Sequence, residues 1–334
     1  MDHRCRKRDD RHLRDVAVIT TLTPNPSLDR TLSVDRLDRG ALIRVRRSTV
    51  EPAGKGINVA RALHANGYEV HAVVPAGGSD GGELIRLLGL TGVPHTRVSV
   101  GEAIRSNISL VEADGTLTKL NEPGPALTTA EREALVTTAI ATTSPDGWLV
   151  AGGSLPPESP SDFYASLARR GRASGIRVAI DGSGAALAQA IAGRPALIKP
   201  NRVELRQIAE GPLRTLGDVV SECRRLLELG VGVVLASLGP DGAVVVSPEA
   251  TIHGRVDVRQ VRNTVGAGDT LLAGYLAEPG DAISSLRRAL AWARAAVRSP
   301  LTAMATPEDA DFGAVTIHEV LAMDMALTED LVDA

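Results

Sequence analysis

The 334-residue sequence predicts an α/β protein: a mostly parallel sheet with helices on both faces. Three observations lead there. Short β-branched runs alternate with Ala/Leu/Arg stretches whose apolar residues recur at helical period. Two regions of alternating apolar and polar residues interrupt that rhythm and read as a small accessory sheet, a lid. Composition is ordinary for a globular chain, with 43% hydrophobic and 23% charged residues, which excludes collagen, coiled coil and wholesale disorder. A 34.9 kDa chain can bury most of the surface its unfolded form exposes, so it needs no disulfide or metal staple.

In chain order, the β-branched run at 16–22 opens the main sheet. Residues 31–37 and 43–50 read as two amphipathic strands around Asp38-Arg39-Gly40. A helix is predicted over 56–66, a buried strand over 70–75 and a helix over 82–90. Residues 106–112 and 116–120 form the second amphipathic pair, with Asp114-Gly115 as a hairpin turn. The alternation then resumes: helix 129–143, strand 147–151, helix 160–173, strands 177–180 and 196–198, helices 203–209 and 216–229. Strands 231–237 and 243–246 and helices 270–276 and 282–297 complete the pattern, which weakens after Ala303. One domain is expected over 15–322. Residues 1–14, six basic and three acidic with almost no apolar content, read as a disordered basic tail, and 323–334 as a loose acidic end. The basic tail also suits a nucleic-acid or lipid contact, as the lesser alternative.

The net charge of −3 offers nothing global to nucleic acid or an anionic membrane. Seven aromatic residues are too few for a base-stacking platform. No uncharged apolar run reaches the roughly 18 residues of a membrane span. Cys5 and Cys223 cannot build a disulfide scaffold or a Cys-rich zinc site, and point to a reducing, cytoplasmic setting. The seven histidines show no metal spacing and read as structural or solvated.

The strongest local signal is Asn263-Thr-Val-Gly-Ala-Gly-Asp-Thr270 ahead of an apolar helical run. Gly266, Ala267 and Gly268 let successive N–H groups face one spot, and a helix N-terminus adds partial positive charge there. That arrangement suits a phosphoryl group in flight, with the Asp269 carboxylate placed to accept a hydroxyl proton. The same residues also make an ordinary glycine turn with an Asp cap. The segment is neither a Walker A motif nor GxGxxG, since Leu271 stands where the third glycine would be.

In Ala53-Gly-Lys-Gly-Ile-Asn-Val-Ala60, Gly54 and Gly56 permit close backbone approach, Asn58 can bridge hydroxyls and Lys55 offers a point charge to phosphate. The bland alternative is a helix start with a solvated lysine. Against it stands lysine usage. The chain has 33 Arg and only Lys7, Lys55, Lys119 and Lys199, and the last three sit in Gly-, Asn- or Pro-punctuated segments. Asn201 and Glu204, after Lys199-Pro200, share a face if a helix starts there and suit a hard, hydrated Mg²⁺. An Asn cap beside an exposed Glu is the alternative. Ser237-Leu-Gly-Pro-Asp-Gly242 is a hairpin turn or a wall for a nucleotide, and Gly152-Gly-Ser-Leu-Pro-Pro157 is another loop at a strand's carboxyl end.

With these segments in order, the chain resembles the phosphofructokinase-B (ribokinase-like) sugar kinases, and within them the branch acting on fructose 1-phosphate and tagatose 6-phosphate. The resemblance runs from about Val16 to about Ala303. It is carried by Asn25-Pro-Ser-Leu-Asp29, AGKGINVAR at 53–61, Asn121-Glu-Pro-Gly-Pro125, Gly153-Ser-Leu-Pro156, Lys199-Pro-Asn201, Ser237-Leu-Gly239 and TVGAGD at 264–269. It implies a three-layer α/β/α ribokinase-like core with a small β-sheet lid. It implies Asp269 as catalytic base and Gly266, Ala267 and Gly268 as anion hole. Asp29, Gly54, Gly56 and Asn58 would bind sugar hydroxyls, and Arg105 the existing phosphate, with Lys55 and Lys119 added to that cationic cluster. Lys199, Asn201 and Glu204 would organise Mg²⁺ and the nucleotide phosphates, while Ser237, Gly239 and Gly242 would line the adenosine site. The implied reaction is ATP-dependent phosphorylation of fructose 1-phosphate at O6. Tagatose 6-phosphate or fructose 6-phosphate are the alternative acceptors, and a non-catalytic sugar-phosphate sensor is the alternative class. The family analogy also implies a homodimer. Ala53 in place of Gly, and Asp181-Gly-Ser-Gly in place of Asp-Thr-Ser-Gly, depart from the pattern, as does Ser299-Pro-Leu-Thr, which lacks the glycine expected near a monovalent-cation (K⁺) site.

Overall fold

The computed structural model describes residues 18–258, 261–262, 264–278, 280–299 and 306–328. Its first strand, β1 (Ile19–Leu22), leads into a two-strand excursion, β2 (Ser27–Ser33) and β3 (Arg47–Ala53), before the first helix, α1 (Lys55–Ala65). Then come β4 (Val70–Ala76), α2 (Gly78–Leu90), β5 (His95–Ser99) and a second excursion, β6 (Arg105–Val111) and β7 (Leu117–Asn121). The alternation continues with α3 (Thr129–Thr142), β8 (Trp148–Gly152), α4 (Phe163–Ala173), β9 (Arg177–Asp181), α5 (Gly184–Ala190) and β10 (Leu197–Ile198). After these follow α6 (Arg202–Ile208), α7 (Leu216–Glu228), β11 (Val233–Ser237), β12 (Ala243–Val246) and β13 (Thr251–Val256). The chain closes with α8 (Ala267–Leu276), α9 (Ala282–Arg298), α10 (Asp309–Gly313) and β14 (Val315–His318).

Ten strands form the main sheet in the order β14-β13-β12-β11-β10-β9-β8-β1-β4-β5. From β5 to β11 all pairings are parallel, and the β12–β14 end is antiparallel. Neighbouring residues on each buried strand feed opposite layers, as the period of two requires. Leu149, Val178, Ile180 and Val234 join one core with Tyr164, Leu167 and Leu216. Val150, Ala179 and Leu235 join the other with Ile57, Leu63, Leu272 and Trp292. Both faces are thus covered, the three-layer arrangement the continuous β-branched runs predict. Several helices start on local caps: Thr128 with Glu131 for α3 and Thr215 with Asp218 for α7 close reciprocal capping boxes. Strand order reverses at β1 and β8, which leaves a crevice beyond their carboxyl ends.

The excursions pair into a separate sheet, β3-β2-β6-β7, with β2 and β6 parallel. Its strands are offset from the expected bounds. The first two lie at Ser27–Ser33 and Arg47–Ala53 rather than 31–37 and 43–50, because β2 starts at once on leaving β1 and pairs Ser27 with Ala53. The alternation at 34–46 is instead spent on a loop in which Leu42 is 82% exposed. The sequence pattern also passes over β5, α5, β13 and β14. β5 carries a single buried hydrophobic residue, Val98, and β13 is interrupted by Gly254.

The C-terminal end differs from expectation too. Residues 323–328, read as part of a loose acidic tail, are held: Leu216 and Gly217 donate backbone N–H groups to Met325 and Met323, and Leu327 is buried in a core. The basic tail at 1–14 and residues 329–334 lie outside the described residues. Among those described, no helix is long and apolar enough to cross a membrane.

Candidate active site

The carboxyl ends of β1, β8, β9, β10 and β11 converge on one set of side chains. α1 begins against the end of β1, and two glycines make that approach possible. A Cβ on Gly54 would lie 2.5 Å from Thr23 Cγ2, and one on Gly56 2.5 Å from Thr23 Oγ1 and 2.8 Å from the Leu22 carbonyl. Their smallness therefore serves helix-on-strand packing at the start of α1. From that seat the first turn of α1 projects Lys55 and Asn58, three residues apart on one face.

Lys55 Nζ donates to Asp181 Oδ1 at 2.7 Å and Glu204 Oε1 at 3.1 Å. Lys199 Nζ reaches the other Asp181 oxygen at 3.1 Å. Asp181, at the end of β9, is 1% exposed and forms the hub of this network. Burial opposes its charge, but the two lysines outweigh burial and hold its carboxyl below the ordinary range. Burial likewise opposes the Lys55 charge, yet Asp181 and Glu204 raise its pKa above the usual lysine value. The structure thus sets Lys55 on two carboxylates, where the sequence reading grouped it with Arg105 and Lys119. Asp181 was missed as a site residue; the departing DGSG segment was the available signal.

Asp269 occupies the third position of α8, behind Gly266, which takes φ 79° in the left-handed region as N-cap. Its Oδ2 accepts a 2.7 Å hydrogen bond from Asn58 Nδ2. Burial first, then the neighbouring Asp181 charge, push its pKa up to about 6, against the opposing pull of Asn58, Lys199 and Lys55. A Cβ on Gly268 would lie 3.2 Å from Lys199 Nζ, so the missing side chain keeps backbone and ammonium open to one another. Asn263 lies outside the described residues.

Asn201 caps α6: its Oδ1 accepts the Glu204 N–H at 2.8 Å, and Glu204 Oε2 accepts the Asn201 N–H at 2.9 Å. The capping alternative holds, but Glu204 is buried, with one oxygen committed to the cap and the other to Lys55. Two carboxylates, Asp181 and Glu204, meet at one ammonium beside the Asn201 amide. This sparse, hard oxygen set fits a Mg²⁺ that keeps most of its waters. Among the described residues no group of three His, Cys, Asp or Glu assembles a metal cage.

Alongside runs a cavity of about 780 Å³, lined by Asn201, Ser237, Gly239, Gly242, Ala267 and Gly268. These six were singled out in the sequence. Arg255, Val256, Leu290, Ala293, Arg294 and Val297 also line the walls and were not, because on β13 and α9 they read only as ordinary strand and helix residues. Cavities of this size and mixed lining suit a nucleotide-sized ligand.

On the lid, Asp29 Oδ1 accepts Ser27 Oγ at 2.7 Å and Asn107 Nδ2 at 3.0 Å. Arg105 donates from Nε and Nη2 to the Asn25 carbonyl at 3.3 and 3.2 Å, and from Nη1 to the Glu122 carbonyl at 3.2 Å. Two of its five N–H donors are left over from these bonds. Pairing of Asp29 with Asn107 and of Ser109 with Lys119 puts Asp29, Arg105 and Lys119 on one face of the lid, with Lys119 exposed. Of the segment Ser299-Pro-Leu-Thr that bears on K⁺, residues 300–302 lie outside the described residues.

Residues 21–309 match the model of the pfkB family carbohydrate kinases. The 1-phosphofructokinase of Vibrio cholerae is 34% identical over 261 residues, 77% of this chain and 81% of its own. The ATP-dependent 6-phosphofructokinase isozyme 2 of Mycobacterium tuberculosis is 33% identical over 298 residues, 88% of each chain. Among solved structures, phosphofructokinase-2 from Escherichia coli in complex with potassium superimposes with a TM-score of 0.84 at 32% identity, over 89% of this chain and 97% of its own.

Proposed function

The chain belongs to the pfkB family of carbohydrate kinases, and from that premise we propose that it phosphorylates fructose 1-phosphate at O6 with ATP. It is a phosphotransferase acting on a sugar-phosphate alcohol; the particular acceptor is our reading. One observation carries it: a buried carboxylate, Asp269, stands at a helix N-terminus beside the two cavity-lining residues Ala267 and Gly268. The Asn58 amide that grips it belongs to the helix running directly on from lid strand β3.

In this mechanism the nucleotide lies in the 780 Å³ cavity with its γ-phosphoryl toward Gly268 and Lys199. The sugar lies under the lid, its hydroxyls on Asp29 and Asn58 and its phosphate on Arg105. O6 attacks the γ-phosphorus, the bond to the β-phosphate oxygen of ADP breaks, and the O6 proton passes to the Asp269 carboxylate. Proton acceptance comes late, because phosphoryl transfer is loose and the base need not be strong. The α8 N–H groups and Lys199 offset the spreading negative charge, usually the larger contribution. Mg²⁺, when bound, neutralises phosphate charge; Asp181, Glu204 and Asn201 are the residues that would hold it, through water.

A second acceptor, fructose 6-phosphate, is favoured by the isozyme 2 relatives and by the TM-score of 0.84 to phosphofructokinase-2. A coupled assay of ADP release with fructose 1-phosphate, fructose 6-phosphate, tagatose 6-phosphate and neutral hexoses separates the readings. We expect kcat/KM for fructose 1-phosphate to exceed the others at least tenfold. A higher value for fructose 6-phosphate would select the second reading, and a preference for neutral hexoses would remove the phosphate role of Arg105.

A further inference from the structure

Asp241 sits in the turn between β11 and β12, inside the Ser237–Gly242 wall of the nucleotide cavity, yet it does not line that cavity. It is 3% exposed; its carboxylate hydrogen-bonds the C-terminal segment, and the cavity-lining Arg255 stands 3.7 Å from Oδ1. Oδ2 accepts the Thr328 backbone N–H at 2.7 Å, and Oδ1 accepts the Thr328 hydroxyl at 3.0 Å. The Thr328 carbonyl in turn accepts from Nη1 of Arg202, the buried first residue of α6, next to Asn201. One residue near the end of the described chain therefore ties the adenosine-side wall to the helix start bearing Asn201 and Glu204. The segment leading to it is itself anchored. Leu327 donates its N–H to the Arg214 carbonyl and is buried in a core, Gly217 donates to Met323, and Ala326 bridges Thr215. A Cβ on Gly217 would lie 2.7 Å from the Met323 carbonyl, a measure of how closely the segment is seated.

We propose that Asp241, Thr328 and Arg202 are positioning residues for the nucleotide, and that the C-terminal segment is a strut setting the distance between the Ser237–Gly242 wall and the Asn201–Glu204 cap. The inference rests on the kinase reading, since it assumes ATP in that cavity. Among the described residues, neither Arg202, Asp241 nor Thr328 lines the cavity. Loss of the strut should therefore loosen nucleotide binding, while the sugar-phosphate site and the chemical step at Asp269 keep their geometry.

The test uses the full chain, Asp241→Ala, Asp241→Asn, Thr328→Val, deletion of residues 328–334, and the deletion combined with Asp241→Ala. MgATP and fructose 1-phosphate are titrated separately by calorimetry, and KM and kcat are measured for each. Asp241→Ala and the deletion should each weaken MgATP binding about tenfold, as expected when a buried hydrogen-bonded carboxylate or its partners are lost. Sugar-phosphate KM and kcat should stay within twofold. The combined variant should be no worse than Asp241→Ala alone, because that substitution already removes the Asp241–Thr328 linkage, together with the Arg255 pair that the deletion leaves intact. Asp241→Asn keeps an acceptor for the Thr328 N–H and should retain most of the affinity. Thr328→Val, which leaves the backbone bonds in place and tests the link without threatening folding, should cost about twofold to threefold. Equal weakening of both ligands, additive losses, or unchanged MgATP affinity in Asp241→Ala and the deletion would overturn the strut while leaving the kinase reading intact. Failure of the full chain to bind MgATP would overturn both.

Discussion

Asn58 Nδ2 stands 2.7 Å from Asp269 Oδ2, a bond between residues 211 apart in sequence that joins the first turn of α1 to the first turn of α8. It gives the buried carboxylate a donor that favours its charged form, and it leaves the other oxygen out of that bond. The contact joins the helix that follows lid strand β3 to the helix whose Ala267 and Gly268 line the large cavity.

Replacing Asp269 is the most direct test of its proposed role as base. Asp269→Asn keeps the size and the neighbours but cannot take a proton. Turnover should fall roughly 10²-fold or more, the usual scale of a general base. MgATP affinity, measured by calorimetry, should change much less. A comparable loss of both would assign Asp269 to binding instead.

The pH profile follows from the same residue. The proposed role needs Asp269 ionised, and burial, then the Asp181 charge, push its pKa up to about 6. The rate should therefore hold above that value and fall as pH drops through it. Asn58→Ala removes a hydrogen bond to the charged form, which pushes the pKa further up. The acid limb of kcat/KM should then move to higher pH. A limb that stayed put, or moved down, would disconnect Asn58 from the titration.

Lys55 makes a stability prediction. Lys55→Met would leave Asp181 with Lys199 alone and Glu204 without an ammonium, both carboxylates being buried. Breaking such a buried pair costs about 3 kcal/mol or more. Denaturant unfolding should report a loss of that order, against under 1 kcal/mol for Lys119→Met on the exposed lid face.

Gly56→Ala tests the seat of α1. The new methyl would meet Thr23 Oγ1 and the Leu22 carbonyl, both closer than real contacts allow. Overpacking of this kind costs about 1–3 kcal/mol. Since the helix start carries both Lys55 and Asn58, turnover should fall along with stability. Wild-type stability in this variant would show that the first turn can shift freely.

The α/β class, the two excursions and the order of the loops were legible because each is written in local chemistry. β-branched runs alternate with helical periods, and TVGAGD or Asn201–Glu204 carry their turn or cap within a few residues. The offset of β2 and β3 was not legible, because the 34–46 stretch alternates as a strand would, and only pairing with β6 decides where the ladder begins. The cavity walls from β13 and α9 were hidden for the same reason, being ordinary residues until the sheet edge turns antiparallel beside them.

By itself the sequence determined which chemical groups the protein owns and which local element carries each, since propensity, capping and turn formation act over a few residues. Tertiary structure alone decided who meets whom. Lys55 goes to Asp181 and Glu204, 126 and 149 positions away, Asn58 to Asp269, and Thr328 to Asp241. Those choices depend on strand order in the sheet, which brings the ends of β1, β9 and β10 together. Only that juxtaposition, with its burial and its neighbouring charges, raises the carboxyl of an aspartate at a helix start above the ordinary carboxylate range.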